Sequence, residues 1–294
     1  MDDVIDQFRA ALADAGVCLH PSESIRADGV LHRARSADDK PGKLSCWYRL
    51  HLDSPVSGAG GDWRTGARLT WCSKRLSALS PAEREALRQR IQRERAEAEA
   101  ETRRRHAEAA ARAAWIWDNA KPASASHPYL LKKQIPAGIA RESRGALILP
   151  VVGLDGALHG LQFIDENGGK KFLPGTAKKA RFLPVTGPLD DSREIYLCEG
   201  AATGAAVSSM RPSVQVAAAG DAGNLLPLAL AIRERWPSVS LVIAGDFDEI
   251  GRQKGHDAAI AARARILPPP AVIPPGCTDW NDIFCAKRQG VKHG

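Results

Sequence analysis

From about Arg193 onward the chain alternates short apolar runs with longer amphipathic or small-residue stretches. "EIYLC", "SVQVAAAG", "VSLVIAGD" and "AVIP" read as strands, and "AATGAAVSSM", "NLLPLALAIRERW" and "KGHDAAIAARARI" read as the helices between them. Nearly unbroken apolar strands separated by helices predict βαβ units, a parallel sheet covered on both faces, and right-handed crossovers. Ligands of such sheets gather at the carboxyl ends of the strands, so the residues just past each apolar run are the ones to watch.

Upstream the period changes. "ALILPVVGLDGALHGLQFID" reads as two strands joined by a turn at Asp155-Gly156, part of a mixed α+β segment over 121–190. Before it, "SPAEREALRQRIQRERAEAEAETRRRHAEAAARAAWIWDNA" reads as one long helix over 79–120. Ser80, Pro81 and Glu83 outline a capping box. Acids and bases alternate along this helix with almost no apolar stripe before Ala110, which predicts a solvated linker acting as a spacer. Residues 1–78 form a small α+β unit: a helix over Val4 to Ala15 ended by Gly16, then strand-like runs such as "GVLHRAR" and "SCWYRLHL" between glycine-rich turns. In "GAGGDWRTGARLTW", Trp63 and Trp71 alternate with Arg64 and Arg68. That pattern suits base stacking and phosphate pairing. It equally suits a small sheet with a tryptophan core and a solvated arginine face.

Composition narrows the class. At 294 residues the chain is long enough for two or more domains, and 44% hydrophobic with 26% charged residues is a globular balance. No apolar run approaches the roughly 20 residues of a membrane span. The opening "MDDVIDQFRAAL" is acidic and amphipathic where a signal peptide would be basic and then apolar, so a cytoplasmic location is expected. The formal net charge of +7 suits a polyanionic partner. The six cysteines form no CxxC pair, which argues against a zinc ribbon; Cys18 with His20, or Cys46 with His51, is the only looser option.

The chemistry lies at the strand ends. The first strand runs into Glu199-Gly200, the second into Gly220-Asp221, and the third into Asp246-Phe247-Asp248, the only Asp-x-Asp of the chain. The last is followed by "GCTDWNDIF", with Asp279, Asn281 and Asp282. Strand alternation would put Asp246 and Asp248 on one side and Phe247 on the other. Carboxylates crowded on one face are costly without a cation, and carboxylate oxygens with retained water are what Mg²⁺ prefers. Lys170, Lys171, Lys178, Lys179 and Arg181 cluster around a glycine-bearing loop as an electropositive patch or a merely solvated one. Arg252 and Lys254 follow the Asp-x-Asp, where a helix N-terminus and cations could meet a triphosphate or simply face water.

The ordered set "YLCEGAATGAA", "AAAGDAGNL", "IAGDFDEIGRQKGHDAA" and "DWNDIF" resembles the Toprim domain of DnaG-type primases, type IA and II topoisomerases, OLD-type nucleases and RecR-like recombination proteins. The nearer resemblance is to primases of mobile elements such as satellite phages and conjugative plasmids. "HPYLLKKQI" and "ILPVVGLDGALHGLQFID…KKFLPGT" are similar to the part of the primase core that precedes Toprim, so the resemblance spans 121–285. The sequence departs from that pattern in having no recognisable zinc-binding unit and no helicase domain after "DWNDIF".

The resemblance implies an α/β fold: a Toprim parallel-sheet domain over 191–294, preceded by a mixed α+β primase subdomain. The pattern along the chain places a linker helix and a small N-terminal α+β domain before them, the latter by its position a candidate template-recognition unit. It implies a nucleotidyltransferase making short RNA on single-stranded DNA from nucleoside triphosphates, with a separate replicative helicase as a candidate partner. Mg²⁺ or Mn²⁺ would be held by Asp246 and Asp248. Glu199 would bind metal or serve as general base, with Asp282 as a further metal ligand and Asp221 in a secondary role. Lys254 and Arg252 would meet the triphosphate, and Lys170, Lys171, Lys178, Lys179 and Arg181 the template or nucleotide. A Toprim nuclease and a non-catalytic single-stranded DNA-binding scaffold are the alternatives. A topoisomerase fits less well, because none of Tyr48, Tyr129 and Tyr196 is placed as a nucleophile.

Overall fold

The computed structural model describes residues 2–290. Contacts divide the chain into two units, 1–100 and 101–294, with the division inside the long helix.

In the first unit, helix α1 (Asp2–Asp14) packs on an antiparallel sheet of β1 (His32–Ala34), β2 (Cys46–His51), β3 (Ser57–Asp62) and β4 (Arg68–Cys72), in the order β1-β2-β3-β4. Strict alternation in β2 buries Cys46, Tyr48 and Leu50 against Phe8 and Leu12. Glycine in β3 sets how close the helix lies. A Cβ on Gly60 would fall 2.4 Å from Leu12 Cδ2, and one on Gly58 2.9 Å from Phe8 Cε2.

Helix α2 (Pro81–Asn119) opens with the expected capping box: Ser80 N–H donates to Glu83 Oε2 (2.8 Å) and Glu83 N–H to Ser80 Oγ (3.2 Å). Its start is not the solvated spacer read from the sequence. Arg90 is 9% exposed and donates to Pro55 O (3.0 Å) and Ser57 Oγ (2.8 Å), while Glu94 pairs with Arg49 (3.1 Å) and His51 (2.6 Å). A helix face docked through charged groups has no apolar stripe, so hydrophobic periodicity could not show it. Within the second unit the same helix buries Ala109 and Ala113, and Arg141 stacks on Trp117 at 4.6 Å.

The second unit holds two sheets. The antiparallel one runs β5 (Lys121–Pro122), β6 (Arg141–Ser143), β7 (Ala146–Val152), β8 (Leu158–Ile164) and β9 (Lys170–Phe172), with α3 (Pro128–Lys133) between β5 and β6. β7 and β8 form the expected hairpin, with Gly156 at φ +78° in its turn. The other sheet has the order β10-β12-β11-β13-β14. Its strands are β10 (Leu183–Pro184), β11 (Ile195–Cys198), β12 (Gln215–Ala218), β13 (Leu241–Ala244) and β14 (Arg265–Ile266). The last four are parallel, and β10 is an antiparallel edge. Strands β11, β12 and β13 are buried throughout, as a sheet covered on both faces requires. One core takes in Leu225, Leu228 and Ile232 of α5 (Leu225–Arg235) with Ala258 and Ala259 of α6 (Glu249–Ala261). The other takes in Val207 of α4 (Ala201–Met210) with Trp280 and Ile283 of α7 (Trp280–Gly290). Among the described residues no helix is long and apolar enough to cross a membrane.

The strand expected at "AVIP" is absent. Helix α6 ends with Arg263 at φ +49°, and the chain then extends at once, pairing Arg265 and Ile266 with Val242 and Ile243. Pro268, Pro269 and Pro270 follow, and prolines cannot donate to a ladder.

Asn224, 5% exposed, fastens the lysine-bearing loop to the sheet: its Oδ1 accepts from Ala180 N–H (2.8 Å), and its Nδ2 donates to Arg181 O (2.7 Å) and Ala219 O (2.8 Å). Replacement Asn224→Ala leaves these backbone groups unpaired and is expected to cost about 2–3 kcal/mol, read as a lower urea midpoint at unchanged slope.

Candidate active site at the acidic end of the parallel sheet

Strand β11 stops at Cys198, which places Glu199 at the sheet's carboxyl edge, half-buried. Strand β13 stops at Ala244, so Asp246 and Asp248 lie in the turn into α6, not on a strand. What orients them is anchoring rather than alternation. Phe247 is buried against Trp280, ring centres 5.2 Å apart, and its N–H donates to Thr278 O at 2.7 Å. Asp248 caps α6 by accepting from Gly251 N–H at 2.6 Å. A Cβ on Gly251 would sit 2.9 Å from Asp246 Cβ, so glycine is what lets the helix close on the turn. Asp279 accepts from Asp282 N–H (2.8 Å) at the start of α7.

These carboxylates act on one another. Burial pushes Asp246 up to about 7, reinforced by the charges of Glu199, Asp279 and Asp248 and opposed by Lys170. Burial also raises Glu199, with Asp248 and Asp221 adding to it, while Lys170 and the Ala222 N–H pull the other way. Asp246 Oδ1 is buried and accepts no hydrogen bond. Among the described residues no three acid, histidine or cysteine side chains converge into a ready metal cage. The donor set still fits a hard divalent cation that is held through one or two carboxylates and keeps its waters. A buried, unpartnered carboxylate oxygen amid like charges is what such an ion would satisfy.

Residues 194–289 match the Toprim domain family. They form a Toprim domain. The chain is also similar to two Escherichia coli proteins, each named DNA primase TraC. One is 32% identical over 92% of this chain and 27% of its own length; the other is 30% identical over 90% and 19%. The chain thus spans about a quarter or less of those relatives. Among solved structures it is similar to the primase fragment of the bacteriophage T7 primase-helicase protein, at 17% identity over 56% of this chain and 73% of that one, TM-score 0.44. It is also similar to the DnaG primase catalytic domain bound to ssDNA, at 11% identity over 66% and 78%, TM-score 0.45.

Around the Toprim acids the other expected residues separate. Asp282 does not face them: it accepts from Thr278 N–H (3.0 Å), pairs with Lys133 (3.5 Å), and is held below the usual carboxylate range by these partners despite burial. Asp279, one helical turn earlier, is the acid that Asp246 feels. Asn281, fully buried, donates to Lys133 O at 2.8 Å and is structural.

The basic patch divides in the same way. Lys170 reaches the Toprim acids and lies 3.6 Å from where a Cβ on Gly200 would stand. Lys178 pairs with Asp221 (3.1 Å) and lies over the Phe172 ring at 4.9 Å. Lys171 alternates with Lys170 along β9, to its other face. Lys179 is exposed, and its carbonyl accepts from Arg181 Nη1 (3.0 Å). Arg181 exerts its charge on Asp155 and His159 rather than on the acids. Arg252 and Lys254 are exposed on α6; Arg252 lines a cavity of about 250 Å³ with Asp246 and Ile273, and Lys254 does not.

Sequence reasoning weighed Tyr129 only as a nucleophile and set it aside. Its hydroxyl is buried without a partner, and burial together with the Asp279 charge raises it to about 12. The sequence carries no signal for it beyond "HPYL".

Because the folded protein holds the Asp246 proton far more tightly than an unfolded chain would, this group stabilises fully below about pH 4. That contribution is lost as pH rises through about 7. At pH 8 without metal, Asp246→Asn is therefore expected to raise the Tm by about 4 °C. Millimolar Mg²⁺ should raise the wild-type Tm and leave that of the variant unmoved. Calorimetry of both proteins with EDTA and with Mg²⁺ checks the pair of shifts.

Proposed function

We propose that this chain carries the catalytic core of a DNA primase, which makes short RNA on single-stranded DNA from nucleoside triphosphates in the replication or transfer of a mobile element. The observation that carries this reading is the acid cluster at the Toprim sheet edge, only partly offset by Lys170 and Lys178, with the buried, unpartnered oxygen of Asp246 at its centre. The relatives over most of the chain's length are named primases, which supports the choice among Toprim chemistries.

In this reading Asp246 and Asp248 hold a divalent ion, Mg²⁺ or Mn²⁺, and Glu199 completes the acidic wall. A divalent ion held there would supply positive charge to offset the charge that builds at the α-phosphate. Glu199, raised by burial and its acidic neighbours, takes the proton of the attacking 3′-hydroxyl as general base. Lys170, the cation facing both Glu199 and Asp246, holds the triphosphate against the acids. Lys178 and the exposed Lys171 and Lys179 approach the phosphates of template or product. A replicative helicase is the candidate partner for duplex opening.

The test is primer synthesis on single-stranded DNA with labelled nucleoside triphosphates and Mg²⁺. Wild type is expected to give short labelled RNA, and Asp246→Asn, Glu199→Gln and Asp279→Asn to lose about a hundredfold or more. Asp282→Asn should retain synthesis at reduced stability. Template cleavage in place of synthesis would turn the reading to a nuclease, and bound but unreacted template to a scaffold.

A further inference from the structure

We infer a second nucleic-acid site in the first unit, remote in sequence from the Toprim acids and independent of any metal. It is a stacking platform for single-stranded nucleic acid on the outer face of the small sheet. Register places Arg33, Trp47, Gly61 and Arg68 in one row across all four strands. This row is on the face away from α1, since the intervening residues Ala34, Cys46, Tyr48 and Leu50 fill the core with Phe8 and Leu12. Helix α2 docks farther along the same face, on Arg49, His51 and Ser57, and leaves Arg33 and Arg68 of the row exposed.

Two tryptophans therefore stand outside a core that is complete without them. Trp63, just past β3, is 51% exposed, and its ring centre lies 6.3 Å from that of Trp47 at an angle of 36°. The Arg33 guanidinium sits 4.9 Å from the Trp63 ring centre. Gly61 makes the layer possible, because a Cβ there would fall 2.7 Å from Trp47 Nε1. A side chain at that position would push the indole off the sheet.

The charges point to the ligand. Arg64, beside Trp63, is tied to Asp38 (3.2 Å) and Asp62 (3.7 Å). Arg33 and Arg68 are exposed, and among the described residues neither pairs with a carboxylate. A flat, partly exposed aromatic-guanidinium layer flanked by free cations fits a polymer with both π-faces and phosphates. A duplex offers only the phosphates. Single strands offer both, so the row favours them, DNA or RNA alike, with little sequence preference.

Fluorescence anisotropy of the full chain with labelled oligonucleotides of about 16 residues, in EDTA and without nucleotides, isolates this site from catalysis. The wild type is expected to bind single strands more tightly than a duplex of the same sequence. Trp63→Ala should weaken single-strand binding by between about fivefold and a hundredfold, while Trp63→Phe, which keeps a ring, should retain most of it. The double change Arg33→Ala with Arg68→Ala should lower the slope of log affinity against log salt by about 1.4. An unchanged melting curve for Trp63→Ala, expected for an exposed side chain, rules out misfolding as the cause. Equal binding by Trp63→Ala and wild type, a preference for duplex, or no binding of either strand type would each overturn the platform. None of these results depends on whether primers are made.

Discussion

Burial of carboxylates at one sheet edge, sharpened by their mutual repulsion, governs this molecule. Three strand-to-helix turns and the start of α7 bring Glu199, Asp221, Asp246, Asp248 and Asp279 to one edge of a buried parallel sheet, and the pressure shows in the raised Asp246 and Glu199. Such an edge survives only if the scaffold is rigid enough to hold it. Rigidity comes from strands buried throughout, a helix capped by one of the acids themselves, and Phe247 locked on Trp280. The strain lasts until a proton or a cation relieves it, which couples protonation and cation binding at the same oxygens.

Relief comes partly from outside the domain that carries the acids. Lys170 and Lys178 belong to the antiparallel sheet and its following loop, upstream of residues 194–289. Asn224 holds that loop by three backbone hydrogen bonds, and Val152 of β7 exchanges backbone hydrogen bonds with Phe182 beside β10, so the two sheets form one unit. The functional edge is therefore composite: acids from the parallel sheet, cations from its neighbour. A boundary at 190, where the apolar pattern changes, runs between residues that electrostatics joins.

The sequence made the parallel strands, the strand-end acids and the β7–β8 hairpin legible, because each follows from a local period or turn. It misled where the outcome depends on partners distant in the chain. Asp279 and Asp282 are equally acidic in "DWND", and only the pairing of Asp282 with Lys133 tells them apart. The lysines of "GGKKF" look alike until β9 turns one toward the acids and the next away. Helix α2 concealed its docking because charged groups, not apolar ones, make the contacts. "AVIP" has strand composition but sits among prolines, and the edge position went to Arg265–Ile266 instead. Tyr129 had no local signature beyond "HPYL", which does not say that it lies near Asp279.

Those failures share a cause that bears on function. Periodicity reports which side of an element meets the core, whereas charge pairing depends on what stands opposite in space. A catalytic edge is defined by the second kind of information, so its members are chosen by geometry from a larger set of chemically equivalent residues. Two of the five cations in the basic patch and one of the two acids in "DWND" meet the acidic edge here. The same selection acts in the first unit. Trp47 and Trp71 both lie in strands, yet Trp71 packs against Phe8 at 5.4 Å while Trp47 joins Trp63 on the outer face. The two readings of "GAGGDWRTGARLTW", core or platform, are thus both realised, by different tryptophans on opposite faces of one sheet.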